Sequence, residues 1–262
     1  MKLGLVGVPV ESLSICSEDC RDFFIPHITD DLRDRVIREA KRRGVNVEDL
    51  GELKLGEEYE LDFRLDRSRT YYDRINVRPL DFSKFLKERK RVLDLAKHHD
   101  HLIALGPSHI GALILYSKGD RVARFDFHGD YERPHVIDGH ELYTFYNYIH
   151  WAKQNIGNIE VGNYFWNAHS YFGEILRVDD PFGESCNHFD IDVDFLLNWI
   201  QTVYNVSIGR ISRSYVQDKI EFLYRCLRCS KPGKLGIWEY RLDKDPSGEG
   251  VDFITESIIN SI

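Results

Sequence analysis

In the stretch VARFDFHGD (122–130), four mostly apolar residues run directly into Asp126, His128 and Asp130. Extended backbone points alternate side chains the same way, so these three polar groups can converge. Two carboxylates and an imidazole at the end of a buried strand suit a divalent metal. They equally suit a wet acidic turn, because Asp, His and Gly are common turn residues. What else reaches the same place decides between the two.

Other apolar runs end in the same kinds of residue. His109 follows LIAL, just past Gly106 and Pro107; Glu239 follows LGIW. In HFDIDVD (188–194), Asp190, Asp192 and Asp194 alternate with Phe189, Ile191 and Val193. Each has a bland explanation. A histidine after a strand is commonly a hydrogen-bonded structural residue, DIDVD suits an edge strand with one wet face, and Glu239 alone signifies nothing. Taken together, four strand ends deliver acid or histidine to one rim. Asp126, Asp130, Asp190 and Asp192 with His109 and His128 would match two doubly charged cations, and oxygen mixed with imidazole suits Mn²⁺ better than a thiolate-loving metal. Without metal such carboxylates would repel one another, and some would take up protons.

The elements that must position these residues alternate in type. Strands are expected over 2–8, 45–53, 101–109, 122–125, 159–165, 174–180, 188–195 and 234–240. Helices are expected over TDDLRDRVIREAKRRG with Thr29 as N-cap and Gly44 as the stop, and over 81–99, 110–119, 140–156, 214–229 and 251–262. Residues 54–79 are polar and aromatic without a clear period. This alternation implies one three-layer α/β/α domain over 1–262 with a mainly parallel central sheet, in which functional groups gather at the carboxyl ends of the strands.

Composition narrows the function. The net charge of −8 argues against a nucleic-acid surface, and the basic runs 41–44 and 87–91 read as solvated helix faces. No apolar run approaches the roughly 20 residues of a membrane helix. The N-terminus reads as a core strand instead of a signal peptide, which gives a cytoplasmic expectation. Five cysteines do not suggest a disulfide framework. Cys226 and Cys229 form a CxxC within a helical pattern, with no second CxxC to complete a zinc site.

The motifs GPSH (106–109), DFHGD (126–130) and HFDID (188–192) resemble, in order, the three metal signatures of the arginase/agmatinase (ureohydrolase) family: a GGDH-type turn, DAHxD and SFDxD. LGLVGVPVE, VEDLGEL, GRISRSYVQDKIEFL and IWEYRLDKD resemble further family segments, so the likeness spans nearly the whole chain and is thin over 54–79. The resemblance implies an arginase-like fold and two Mn²⁺ per chain. His109 and Asp130 would bind one ion and His128 and Asp192 the other, with Asp126 and Asp190 bridging. Hydroxide generated there would attack the trigonal carbon of a guanidinium. Glu239 would pair with the cationic end of the substrate and His140 would shuttle a proton, with His135 as its rival. The implied activity is hydrolysis of a linear C–N bond, releasing urea from agmatine, arginine or a related guanidino compound. A homo-oligomer, trimer or hexamer, is implied as well. GPSH in place of GGDH, a short 130–140 segment and FLLNWIQTVYN after DIDVD depart from the family pattern. They leave the metal set intact and the specificity loops unmatched. Two alternatives stand beside this reading: a one-zinc amide deacylase, and a non-catalytic binding or assembly subunit on the same fold.

Overall fold

A computed structural model describes residues 1–12, 22–24, 28–55, 82–126, 135–137, 140–142, 147–165, 186–193, 213–240, 245 and 247–262. The strand expected over 174–180 lies outside these residues, as do His128 and Asp130. In chain order the elements are β1 (Leu3–Gly7), β2 (Val10–Ser12), β3 (Asp22–Phe24), α1 (Asp30–Arg42), β4 (Glu48–Glu52), α2 (Phe82–Ala96) and β5 (His101–Leu105). A short 3₁₀ helix (His109–Ile114) follows, then β6 (Arg121–Asp126), β7 (His135–Ile137), β8 (His140–Leu142), α3 (Tyr148–Asn155) and β9 (Glu160–Phe165). The chain closes with β10 (His188–Asp192), α4 (Arg213–Ser230), β11 (Lys234–Trp238) and α5 (Glu249–Asn260).

Seven strands form one sheet in the order β4-β1-β5-β11-β10-β6-β9, and every neighbouring pair is parallel. The pleat divides each strand between two cores. Leu3, Leu5, Ile103, Leu105, Phe125, Phe189, Ile191 and Ile237 pack with α1, α4 and α5 on one face. Val6, Leu102, Ala104, Val122 and Trp238 pack with α2, α3 and the 3₁₀ helix on the other. This is the expected α/β/α sandwich. β10 lies between β11 and β6, so the alternating acids of HFDID are not the wet side of an edge strand. They point into a covered layer.

The strand starts are tied together opposite the candidate site. Lys234 Nζ donates to Asp120 Oδ2 at 2.5 Å, Ser117 Oγ at 2.7 Å and the Leu115 carbonyl at 2.9 Å. Burial works against the Asp120 charge, but His188 and Lys234 beside it hold the carboxyl well below its usual range. The ends of β6, β10 and β11 are therefore registered from a lock at their beginnings.

Several local expectations change. Residues 140–142 were expected to open a helix but form β8, paired antiparallel with β7. Asp138 and Gly139, the two residues between, are a hairpin signature that overrides the short helical period. The helix expected over 110–119 is a six-residue 3₁₀ turn beginning at His109. Thr29 does not cap α1 with its side chain; its hydroxyl donates to Glu52 Oε2 at 2.5 Å instead. On α2, Phe85 and Val92 are buried but Leu86 is exposed. Arg89 is half-buried, with Nε donating to the Leu113 carbonyl at 2.9 Å.

Gly236 belongs to the site's foundations. A β-carbon there would lie 2.5 Å from Nε1 of Trp238, whose indole is fully buried on the same face of β11. We expect Gly236→Ala to cost about 1–3 kcal/mol, the usual penalty for overpacking. It should also shift the fluorescence of the displaced indole. Urea denaturation followed by tryptophan emission checks both.

Candidate metal centre

β6 and β10 are neighbours in register: Asp190 pairs with Arg124 and Ile191 with Phe125. The residues that end the two strands, Asp126 and Asp192, are therefore delivered side by side. β5 ends on the same edge with β11 between it and β10, and Gly106, Pro107 and Ser108 lead into the 3₁₀ helix whose first residue is His109. His109 Nδ1 lies 3.0 Å from Asp192 Oδ2 and 3.2 Å from Asp126 Oδ2. One ligand atom from each of the three side chains falls within 4.8 Å of the others, and all three side chains are buried. An imidazole nitrogen and two carboxylate oxygens converging at this spacing fit a hard divalent cation in both chemistry and charge.

Arg124 stands directly beneath this cluster. Its side chain is wholly buried, Nη2 donates to Asp126 Oδ2, and the same nitrogen lies 3.5 Å from His109 Nδ1. Its Cζ is 5.6 Å from the centre of the Tyr148 ring, close enough for a cation–π contact. The guanidinium thus neutralises one carboxylate from below. A buried carboxylate pair would otherwise be costly, because each charge has lost its water.

Asp190 lies one pleat deeper on β10 and is fully buried. Its Oδ2 accepts from Tyr116 at 2.6 Å and from Tyr148 at 3.0 Å; its Oδ1 accepts from Trp238 Nε1 at 2.5 Å. Oδ1 also lies 3.3 Å from His109 Nε2. Burial would push this carboxyl's pKa up, yet the neighbouring His109, with His188 and Arg124, holds it well below the usual carboxylate range. The same arrangement raises the Tyr116 hydroxyl far above its ordinary value, first through burial and then through the Asp190 charge.

Of the residues singled out from sequence, the structure brings His109, Asp126 and Asp192 together, with Asp190 in contact from below. Glu239 directly follows β11 and adopts φ of 62°. That left-handed conformation is uncommon for a residue with a side chain, and such residues concentrate at functional sites. His135 and His140 begin β7 and β8 of the hairpin, and their side chains lie outside the described residues. Sequence reading missed Arg124, Tyr116, Tyr148 and Trp238. Arg124 did leave a signal: it sits two residues before Asp126, so the alternation that aims Asp126 at the site aims Arg124 below it.

No family model matches the sequence, and no curated protein does. The fold, however, is shared with solved structures along the whole chain. Arginase from Bacillus subtilis superposes with a TM-score of 0.60 at 15% identity, covering 100% of this chain and 98% of that one. Arginase from Bacillus caldovelox gives 0.61 at 14% identity, covering 99% and 97%. Formimidoylglutamase from Bacillus subtilis gives 0.58 at 15% identity, covering 100% and 86%. The chain has an arginase-like fold.

The charge balance at the cluster can be tested directly. Arg124→Met leaves Asp126 without its buried partner, so the chelator-treated variant should lose about 3–5 kcal/mol of stability. Added Mn²⁺ should stabilise it more than it stabilises the wild type, because the ion then has no resident cation to oppose it. Denaturant titrations with and without Mn²⁺ check both parts.

Proposed function

We propose that the chain is a metal-dependent hydrolase of linear C–N bonds in guanidino or amidino compounds, using Mn²⁺. The observation that carries this reading is the buried convergence of His109 Nδ1 with Asp126 and Asp192 at the carboxyl ends of parallel strands. Its support from outside is the fold shared with arginase and formimidoylglutamase. His109, Asp126, Asp190 and Asp192 would hold metal, joined by His128 and Asp130 from the segment that continues β6. When bound, such ions lower the pKa of water and supply hydroxide at neutral pH. Glu239, aimed by its unusual backbone just past β11, would pair with the cationic end of the substrate through charge-assisted hydrogen bonds. His140 would hand a proton to the leaving amine, with His135 the competing candidate. Agmatine, arginine and formiminoglutamate head the list of substrates. The fold also motivates the proposal of a homo-oligomer.

Arg124 gives a one-ion site a specific argument. A guanidinium at the cluster already supplies part of the positive charge, so a single ion would bring the described carboxylates near neutrality. A one-ion centre would move the reading towards an amide deacylase. Elemental analysis separates the two, with two Mn²⁺ per chain expected here.

Chelator-treated protein reloaded with Mn²⁺ should release urea, or the corresponding amide product, from at least one member of a panel of guanidino and formimino compounds. Asp126→Ala should abolish that release together with metal retention. Protein with metal verified as bound and no turnover on any member of the panel would contradict the catalytic reading.

A further inference from the structure

We propose that Tyr240 and Asp245 are the positioning residues for Glu239, clamping it in the backbone conformation that presents its carboxylate to the substrate's cationic group. This rests on the substrate role given to Glu239 above and adds the device that holds it. Trp238 is in register with Asp192, so Glu239 stands one residue beyond the level of the acid cluster. The strand pattern breaks at this residue. Side chains two apart in a strand share a face, yet Trp238 packs in the core beneath α2 and α3, whereas Tyr240 packs in the core beneath α1, α4 and α5. The left-handed backbone of Glu239, with φ of 62°, is the turn that sends the two rings to opposite faces.

A residue with a side chain keeps such a conformation only where its surroundings enforce it. Both neighbours of Glu239 do so. The Trp238 indole is fully buried and lies against bare backbone: a β-carbon at Gly106 would stand 3.0 Å from it, and one at Gly111 2.8 Å. Tyr240 is buried too, and its hydroxyl donates to Asp245 Oδ2 at 2.7 Å. The same oxygen accepts from the backbone N–H of Gly250 at 2.8 Å and of Val251 at 3.4 Å, both in the first turn of α5. Asp245 Oδ1 accepts from Ser247 Oγ at 3.0 Å.

Asp245 therefore does two things at once. It caps α5, whose N-cap position is Gly248 and offers no side chain, and a carboxylate at that end also suits the helix dipole. It also fixes the Tyr240 hydroxyl to the helix. Gly250 shows how closely the parts fit. A β-carbon there would run into the Tyr240 ring and come within 2.8 Å of Asp245 Oδ2. Glycine is the poorest helix former after proline, and here it lets the ring lie on the first turn of α5. That helix packs in turn against α1 and α4. The backbone of Glu239 is thus tied, through one phenol and one carboxylate, to the helical layer on that face of the sheet.

The test compares the Mn²⁺-loaded full chain with Tyr240→Phe, which removes one hydroxyl and keeps the ring. Asp245→Asn, which leaves an oxygen for Tyr240 to donate to, is the second variant should the first not fold. With a guanidino substrate from the panel, Tyr240→Phe should raise KM about tenfold, the equivalent of weakening one hydrogen bond to a charged group. Its kcat should hardly change, the split expected when a contact common to bound substrate and transition state is weakened. Asp245→Asn should shift KM the same way by less. A double-mutant cycle with Glu239→Gly, read from urea denaturation midpoints, tests the clamp without substrate. Glycine relieves a left-handed backbone, so Glu239→Gly should be more favourable in the wild type than in Tyr240→Phe, where that backbone is already released. An unmoved KM, or equal effects of Glu239→Gly in the two backgrounds, overturns the clamp. A wild type that turns over no member of the panel overturns the substrate role of Glu239 and the functional reading with it, and the cycle still decides whether the clamp holds.

Discussion

Asp126 and Asp192 end adjacent parallel strands in a place closed to water, and everything around them answers the repulsion that follows. Two unit charges about 4 Å apart repel by on the order of 4 kcal/mol at the effective dielectric of a partly shielded site. Such a pair survives only if positive charge is supplied. Arg124 supplies part of it from below, and the edge of His109 facing the pair accommodates a cation. The cluster is a candidate metal site, and a cation held there would supply the rest.

The sheet makes the constraint unavoidable. In a parallel sheet all carboxyl ends lie on one edge, so residues that end β5, β6, β10 and β11 share a rim whatever their distance in sequence. Burial on both faces removes the option of turning an acid out to solvent. The site is layered in consequence. Asp126, Asp192 and His109 form the top layer; Arg124 and Asp190 are level with each other beneath it. Tyr116, Tyr148 and Trp238 hold the lower carboxylate in place. Small residues serve this packing too, as at Gly236, where Trp238 occupies the space a side chain would take.

Much of this was legible in the sequence. The alternation of strand-like and helical runs indicated a parallel α/β/α sandwich, and the rule that polar residues follow apolar runs located His109, Asp126 and the HFDID acids. What period alone could not show was height. Asp190 and Asp192 project on the same face of β10 and look equivalent in sequence; only the pairing of Asp190 with Arg124 shows which acid reaches Asp126. Arg124 itself was passed over because a charged residue inside an apolar run carries no partner information until the neighbouring strand is known. The hairpin at 135–142 was hidden by the aromatic-rich, helix-like sequence that follows it. Asp138 and Gly139 were the local clue.

The most direct measurement is a crystal structure of the Mn²⁺-loaded protein with anomalous data collected above and below the manganese absorption edge. An anomalous peak should lie among His109 Nδ1, Asp126 and Asp192. Fully loaded crystals with no peak at this cluster, or with the His109 ring reversed so that Nε2 meets the metal, would contradict the arrangement proposed for the centre.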